Sequence, residues 1–157
     1  VNDTFGKGAQ KSIWTLAYVD FSDLTDLTDA SQVTAATANM TCYSVAGTLS
    51  VYFIRTLTDW VESTVTWNTR PGNSTDHVSD VVSPVDGLNT WDITDMIKDA
   101  ITNRASIWNA YAAPYNYGAG SYNSRYFYSL EASGLWPYIT IEYTVGGVTM
   151  RRRIPFV

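Results

Sequence analysis

The stretch Tyr138-Ile139-Thr140-Ile141-Glu142-Tyr143-Thr144-Val145 decides the class of fold. Ile139, Ile141, Tyr143 and Val145 occupy every second position, with Tyr138, Thr140, Glu142 and Thr144 between them. Successive side chains of an extended backbone point to opposite faces, so this run is a strand with one buried face. The same alternation recurs upstream. Leu49, Val51 and Phe53 alternate with Ser50 and Tyr52; Val65 and Trp67 with Thr64 and Thr66; Tyr126, Tyr128 and Leu130 with Phe127, Ser129 and Glu131. Ala36, Ala38, Met40 and Cys42 predict another strand. Residues 13–21 are apolar on both faces, as in the middle of a sandwich. Loops rich in Gly, Asn, Asp and Pro separate these runs, and together they predict an all-β chain, a jelly-roll β-sandwich.

One segment departs from period two. After Trp91, the residues Ile93, Met96, Ile97, Ala100 and Ile101 fall at helical spacing. Thr94 or Asp92 is placed to cap its start, Asp95 favours the positive end of its dipole, and Asn103 can close its far end. This predicts one short helix, plugging an end of the sandwich.

At 157 residues and 45% hydrophobic, the chain has the length and apolar content for one domain with its own core. Three of its ten basic residues are Arg151, Arg152 and Arg153, so the body before them is more acidic than the net −5 of the whole. Phosphate binding needs a basic face, which argues against a nucleic-acid partner. No run approaches the ~20 apolar residues of a membrane helix. The single Cys42 excludes an internal disulfide framework and reads as a buried structural thiol. Val1 is not a methionine, which leaves room for a leader or further sequence before it.

Catalysis has little to stand on. His77 lies between Asp76 and Val78 in a polar stretch that reads as a solvated loop, with no nucleophile motif and no second histidine for a metal. Asp20, Asp23, Asp26 and Asp29 recur every third residue and are the candidate Ca²⁺ ligands, with a solvated turn as the alternative; no other cofactor is implied. Residues 109–123 read as a loop rich in Tyr, Gly and Asn. Tyr111, Tyr115, Tyr117 and Tyr122 there offer a stacking face and a hydroxyl to a glycan, or else cover a sheet edge. Asn2, Asn39 and Asn73 each begin an N-glycosylation acceptor triplet.

The stretch Trp60-Val61-Glu62-Ser63-Thr64-Val65-Thr66-Trp67-Asn68-Thr69-Arg70-Pro71 resembles the signature of the DNRLRE-type and disaggregatase-related modules. Trp91-Asp92-Ile93-Thr94, Asn116-Tyr117-Gly118, Ser129-Leu130-Glu131-Ala132 and Pro137 to Tyr143 follow in the same order as that family's landmarks, across roughly residues 4–145. The resemblance implies a carbohydrate-binding-module-like jelly roll of secreted bacterial and archaeal proteins, an appendage rather than an enzyme. Physically, Trp60, Glu62 and Trp67 read first as architecture: rings that seal the sandwich and a carboxylate that braces a turn.

Two departures from the family pattern shape the functional expectation. Phe5-Gly6 falls almost at the first residue, as if the family's opening strand were missing, and residues 146–157 extend past its closing strand. The chain therefore divides into a sandwich over 1–145 and a tail in which Val148, Met150, Ile154 and Phe156 share a face. The expectation is that this tail completes the sandwich of the next subunit, building a homopolymer. Arg152 and Pro155 speak against it, and a tail that pairs back on its own sheet, or a linker, is the plainer alternative. The function expected first is a non-catalytic subunit of an extracellular or cell- or virion-surface fibre. The alternatives are a carbohydrate-binding adhesion module, with glycans as partners, or a virion decoration or tail protein.

Overall fold

A computed structural model of the chain describes residues 15–60, 63–66, 68–115 and 123–156. Among these the strands are β1 (Thr15–Asp20), β2 (Val33–Ala46), β3 (Val51–Thr56), β4 (Asn73–Val78), β5 (Gly87–Asp92), β6 (Ile107–Pro114), β7 (Ser124–Phe127), β8 (Tyr138–Val145) and β9 (Val148–Pro155), with the helix α1 (Thr94–Asn103) between β5 and β6. One antiparallel sheet runs β1-β6-β3-β4. The second runs β5-β2-β8-β9, with β7 pairing the C-terminal end of β2. This is the all-β sandwich with one short helix that the alternation predicts.

The core lies between the sheets. From β8 come Ile139, Ile141 and Tyr143, all fully buried. From β2 come Ala36 and Ala38, and from β6 Ala110 and Ala112; these small residues leave room for Phe53, Trp91 and Trp108. The rings meet edge-on or tilted, Phe53 standing 5.5 Å from both Trp91 and Trp108. Such offsets suit the quadrupoles of aromatic rings better than face-to-face stacking. Trp91 also donates its indole N–H to the Val51 carbonyl at 2.8 Å, which satisfies the polar atom in an apolar setting.

The expected short helix is α1, ten residues long, and it buries Met96, Ile97 and Ala100. Its start is tied differently from the expectation. Asp92 Oδ1 accepts the Thr94 N–H, but Thr94 uses its own hydroxyl to accept the Ala36 N–H of β2 at 2.9 Å, fastening helix to sheet rather than capping the helix. The far end closes through Arg104 and Ser106, whose amides both reach the Ala100 carbonyl, while Asn103 turns to Asp99. Ala105 and Ser106 take the left-handed conformation there, φ 49° and 63°.

The expected assembly tail does not stand apart from the domain. Val148, Met150 and Ile154 lie in β9, which pairs β8 over its whole length through a turn of Gly146 and Gly147. Both glycines have positive φ, 55° and 82°, the conformation a two-residue hairpin needs. Met150 and Ile154 pack against the core from this edge, and Phe156 enters it, 5.6 Å from Trp108 and 6.1 Å from Phe53. The plainer alternative, a tail paired on its own sheet, is what the chain adopts. Arg152 occupies an inward position and is tolerated because β9 is an edge strand, where the side chain escapes to solvent.

Candidate functional site

The two sheets treat their outer faces differently, and this sorts the sequence-predicted site residues. On the sheet of β1, β6, β3 and β4 the outer face carries Ile54, Tyr111 and Ala113, all buried, with Leu16 and Tyr52 packed against them. The loop after β3 lies over this face. Tyr111 donates its hydroxyl to the Pro71 carbonyl at 2.6 Å, and burial pushes its phenol pKa up. Tyr111 is thus a structural strand residue rather than a loop ligand, because the run read as a loop from residue 109 is the second half of β6. Tyr115, just past β6, is exposed and stands edge-on to Tyr52 at 5.4 Å. Burial, and then the proximity of Tyr115, raise the pKa of Tyr52. Tyr117 and Tyr122 lie outside the described residues, as do Asn2, Glu62 and Trp67. Trp60 meets Tyr18 edge-on at 6.1 Å.

On the sheet of β5, β2, β8 and β9 the outer face, among the described residues, keeps Tyr43 and Tyr126 exposed and buries Asn39 and Thr140. Along β2 it presents Thr37, Asn39, Thr41 and Tyr43, flanked by Thr90 of β5 and by Tyr138 and Thr140 of β8. Tyr43 and Tyr126 are each 52% exposed, with ring centres 6.0 Å apart. Tyr128 stands 4.9 Å from Tyr43, and its amide donates to the Thr41 carbonyl, which fixes it beside β2. Two residues back along β2, Asn39 pairs with Tyr138, whose ring lies 5.6 Å from Trp136. A two-residue step in a strand is ~7 Å, so the Trp136 and Tyr138 pair follows the Tyr126, Tyr43 and Tyr128 group along β2. The Arg153 guanidinium sits 4.7 Å over the Tyr138 ring. Asn39 is buried at the centre of the face. Its Nδ2 donates to Thr37 and lies 3.4 Å from Thr140 Oγ1, and its Oδ1 accepts from Thr90 Oγ1. The amide nitrogen of this acceptor triplet is therefore engaged inside the folded sheet, whereas Asn73 is exposed at the start of β4.

Three of the four candidate Ca²⁺ aspartates make separate bonds. Asp20 accepts the Ser22 N–H, and that bond holds its carboxyl pKa down. Asp26 accepts the Tyr143 hydroxyl. Asp29 caps the turn at Ala30–Gln32, with Gln32 reaching back in a capping box. Among the described residues no three His, Cys, Asp or Glu side chains gather as a metal site would require.

His77 corrects its reading as a solvated loop residue. It lies in β4, and its Nε2 is 3.2 Å from Asp99 Oδ1. Asp99, almost fully buried on α1, also accepts from Arg55 at 2.5 Å and from Asn103 at 2.8 Å. Burial alone would raise the Asp99 pKa; the Asn103 and Arg55 hydrogen bonds, with the Arg55 and His77 charges, outweigh it and leave the carboxyl below its ordinary value. Arg55 also lies 3.4 Å from Ser74 Oγ of β4, so the cluster joins α1 to β3 and β4.

The model for carbohydrate-binding module family 96 matches residues 4–143, and the chain belongs to that family. A search of curated proteins found no match. Membership supports the glycan-binding alternative ahead of the fibre subunit expected first. Among the described residues no helix is long and apolar enough to cross a membrane.

Proposed function

We propose that the chain is a non-catalytic, extracellular carbohydrate-binding module that takes a glycan along the open face of β2. The observation that carries this is the row Tyr126, Tyr43, Tyr128, Trp136 and Tyr138 on one sheet face. An aromatic ring packs against the C–H face of a pyranose, and the neighbouring hydroxyls of Thr37, Thr41 and Thr90 serve the sugar's own hydroxyls. The face is pre-formed, because Asn39 ties three strands together beneath it, so little ordering entropy is lost on binding. Isothermal titration of the full chain against a polysaccharide panel tests it. Tyr43→Ala and Tyr128→Ala are expected to weaken binding roughly tenfold or more each, while wild-type affinity in both would overturn the reading.

The fibre reading has one supporting observation. β9 is an edge strand joined to β8 by two glycines, the arrangement from which a strand can exchange between copies. Electron microscopy of the concentrated full chain decides it: filaments support exchange, and single particles at every concentration remove it. Asn73 is the acceptor position placed to carry a glycan of the protein's own, and intact mass from a glycosylating host tests that.

A further inference from the structure

The other sheet holds a separate feature that the open face does not use. Where β3 ends and β6 begins, beside the C-terminal end of α1, an open cleft of about 480 Å³ is lined by Arg55, Leu57, Asp59, Asn103, Ala105 and Ile107, with Arg104 at its wall. That volume lies within the ~300–1,000 Å³ of small-ligand sites. Its charges are already balanced. Arg55 is held by Asp99, and Arg104 by Asp59 and the Thr56 carbonyl. What remains at the surface is accepting capacity. The Asp59 side chain is 60% exposed, and its bonds from Arg104 and from Asn109 both fall on Oδ1, leaving Oδ2 to accept. Asn103 is exposed and spends its Nδ2 on Asp99, leaving its oxygen to accept. Arg55 Nε is buried without a partner. Leu57, 58% exposed, offers an apolar floor beside them.

We infer that this cleft is a second glycan site, selective for a neutral sugar. A hydroxyl donates as readily as it accepts, so adjacent sugar hydroxyls can serve Asp59 Oδ2 and Asn103 Oδ1 together while the ring's C–H face covers Leu57. A carboxylate or sulfate cannot donate to the two acceptors and would face the Asp59 charge. The rim is also where Ala105 and Ser106 hold consecutive left-handed conformations, φ 49° and 63°. Strain of this kind persists where surrounding structure fixes it, and it gathers at ligand sites. The inference does not depend on the open face being a glycan site.

Amide NMR of the full chain, titrated with cellotriose, mannotriose and trigalacturonate, tests it. The two neutral trisaccharides include at least one expected to shift the amides of Leu57, Asp59, Asn103, Ala105 and Ile107 saturably. Leu57→Ala and Asn103→Ala, both changes at exposed side chains, are expected to weaken that binding about tenfold each, with spectra still dispersed. The cleft shifts are expected to persist in Tyr43→Ala. Trigalacturonate saturating the cleft as tightly as the neutral sugars overturns the assigned selectivity. Shifts confined to the Tyr43 and Tyr126 face overturn the second site and leave the first standing; shifts confined to the cleft do the reverse. Silence at the cleft with all three sugars also overturns it.

Discussion

The outer faces of the two sheets are built from similar residues and end differently. Tyr111 and Tyr43 each stand mid-strand with the ring pointing away from the central core, yet Tyr111 is 2% exposed and Tyr43 is 52% exposed. The difference lies in the loop after β3, whose Pro71 carbonyl receives the Tyr111 hydroxyl and whose Trp60 meets Tyr18. A loop folded over a sheet turns its outer face into a second small core; a sheet without one keeps its rings available. A tyrosine's role in this fold is therefore set by what the chain lays across it, not by its strand.

That contrast can be broken by mutation. The largest effect is expected at the covered side. Tyr111→Ala should destabilise the domain by about 3–5 kcal/mol in denaturant unfolding, as for other large-to-small core changes. Tyr111→Phe, which removes only the hydroxyl to Pro71, should cost about 1 kcal/mol. Equal losses in the two variants would mean that the ring is not what the loop buries.

A comparable loss is expected at the ion cluster that joins α1 to this sheet. Asp99→Ala leaves Arg55 without its counter-charge and should cost about 3–5 kcal/mol at neutral pH. The pH dependence has a definite sign. The Asp99 carboxyl is below its ordinary value when folded, so its contribution is full above the unfolded-state pKa, near 3.8, and is lost as pH falls through the lower folded value. Acid titration of stability should show that loss in the wild type and not in Asp99→Asn. A wild-type curve flat through the acid range would remove Asp99 from that role.

The open face should behave in the opposite way. Tyr43→Ala is expected to change stability by no more than about 0.5 kcal/mol while weakening glycan binding, the reverse of Tyr111→Ala. A large melting-temperature drop in Tyr43→Ala would make the two faces alike. The smallest effect belongs to Ala105→Gly. Glycine relieves the left-handed backbone that alanine resists but adds freedom to the unfolded chain, so a gain of up to about 1 kcal/mol is expected, read by chemical unfolding. A loss would show that the conformation carries no strain.

The elements legible in advance were those whose apolar residues keep a regular period or an unbroken run. β8, β2 and β3 announce themselves by alternation, and α1 by its 3.6-residue spacing. β6 does not, because Trp108 to Ala113 are buried on both sides and include Asn109, whose amide is spent on Asp59. Buried asparagine, tyrosine and alanine look like a loop when composition is all there is. The reverse error occurs at Thr64 to Thr66. Their alternation suggests a strand, but Thr66 and Thr69 satisfy one another's backbone and hydroxyl groups in a turn. Strand β4, Asn73–Val78, is an edge of mostly polar residues and carries no apolar signal. For the site, Tyr126 and Tyr128 were visible only as strand residues, and Tyr43 was not singled out. What brings them together is the pairing of β7 with the end of β2, about eighty residues apart in the chain, which no local pattern reports.

Phe156 reaches the middle of the aromatic core from beyond the last strand. On a ribosome, where the chain emerges from its N-terminal end, every earlier strand would be in the open before this ring could arrive. Phe53, Trp91 and Trp108 would wait together, and the edge of β8 would stay unpaired until the hairpin of Gly146 and Gly147 swung β9 into place. The core of this sandwich is then closed by the delivery of one ring on the β8–β9 hairpin, which makes β9 and Phe156 a latch on a box assembled from the other side.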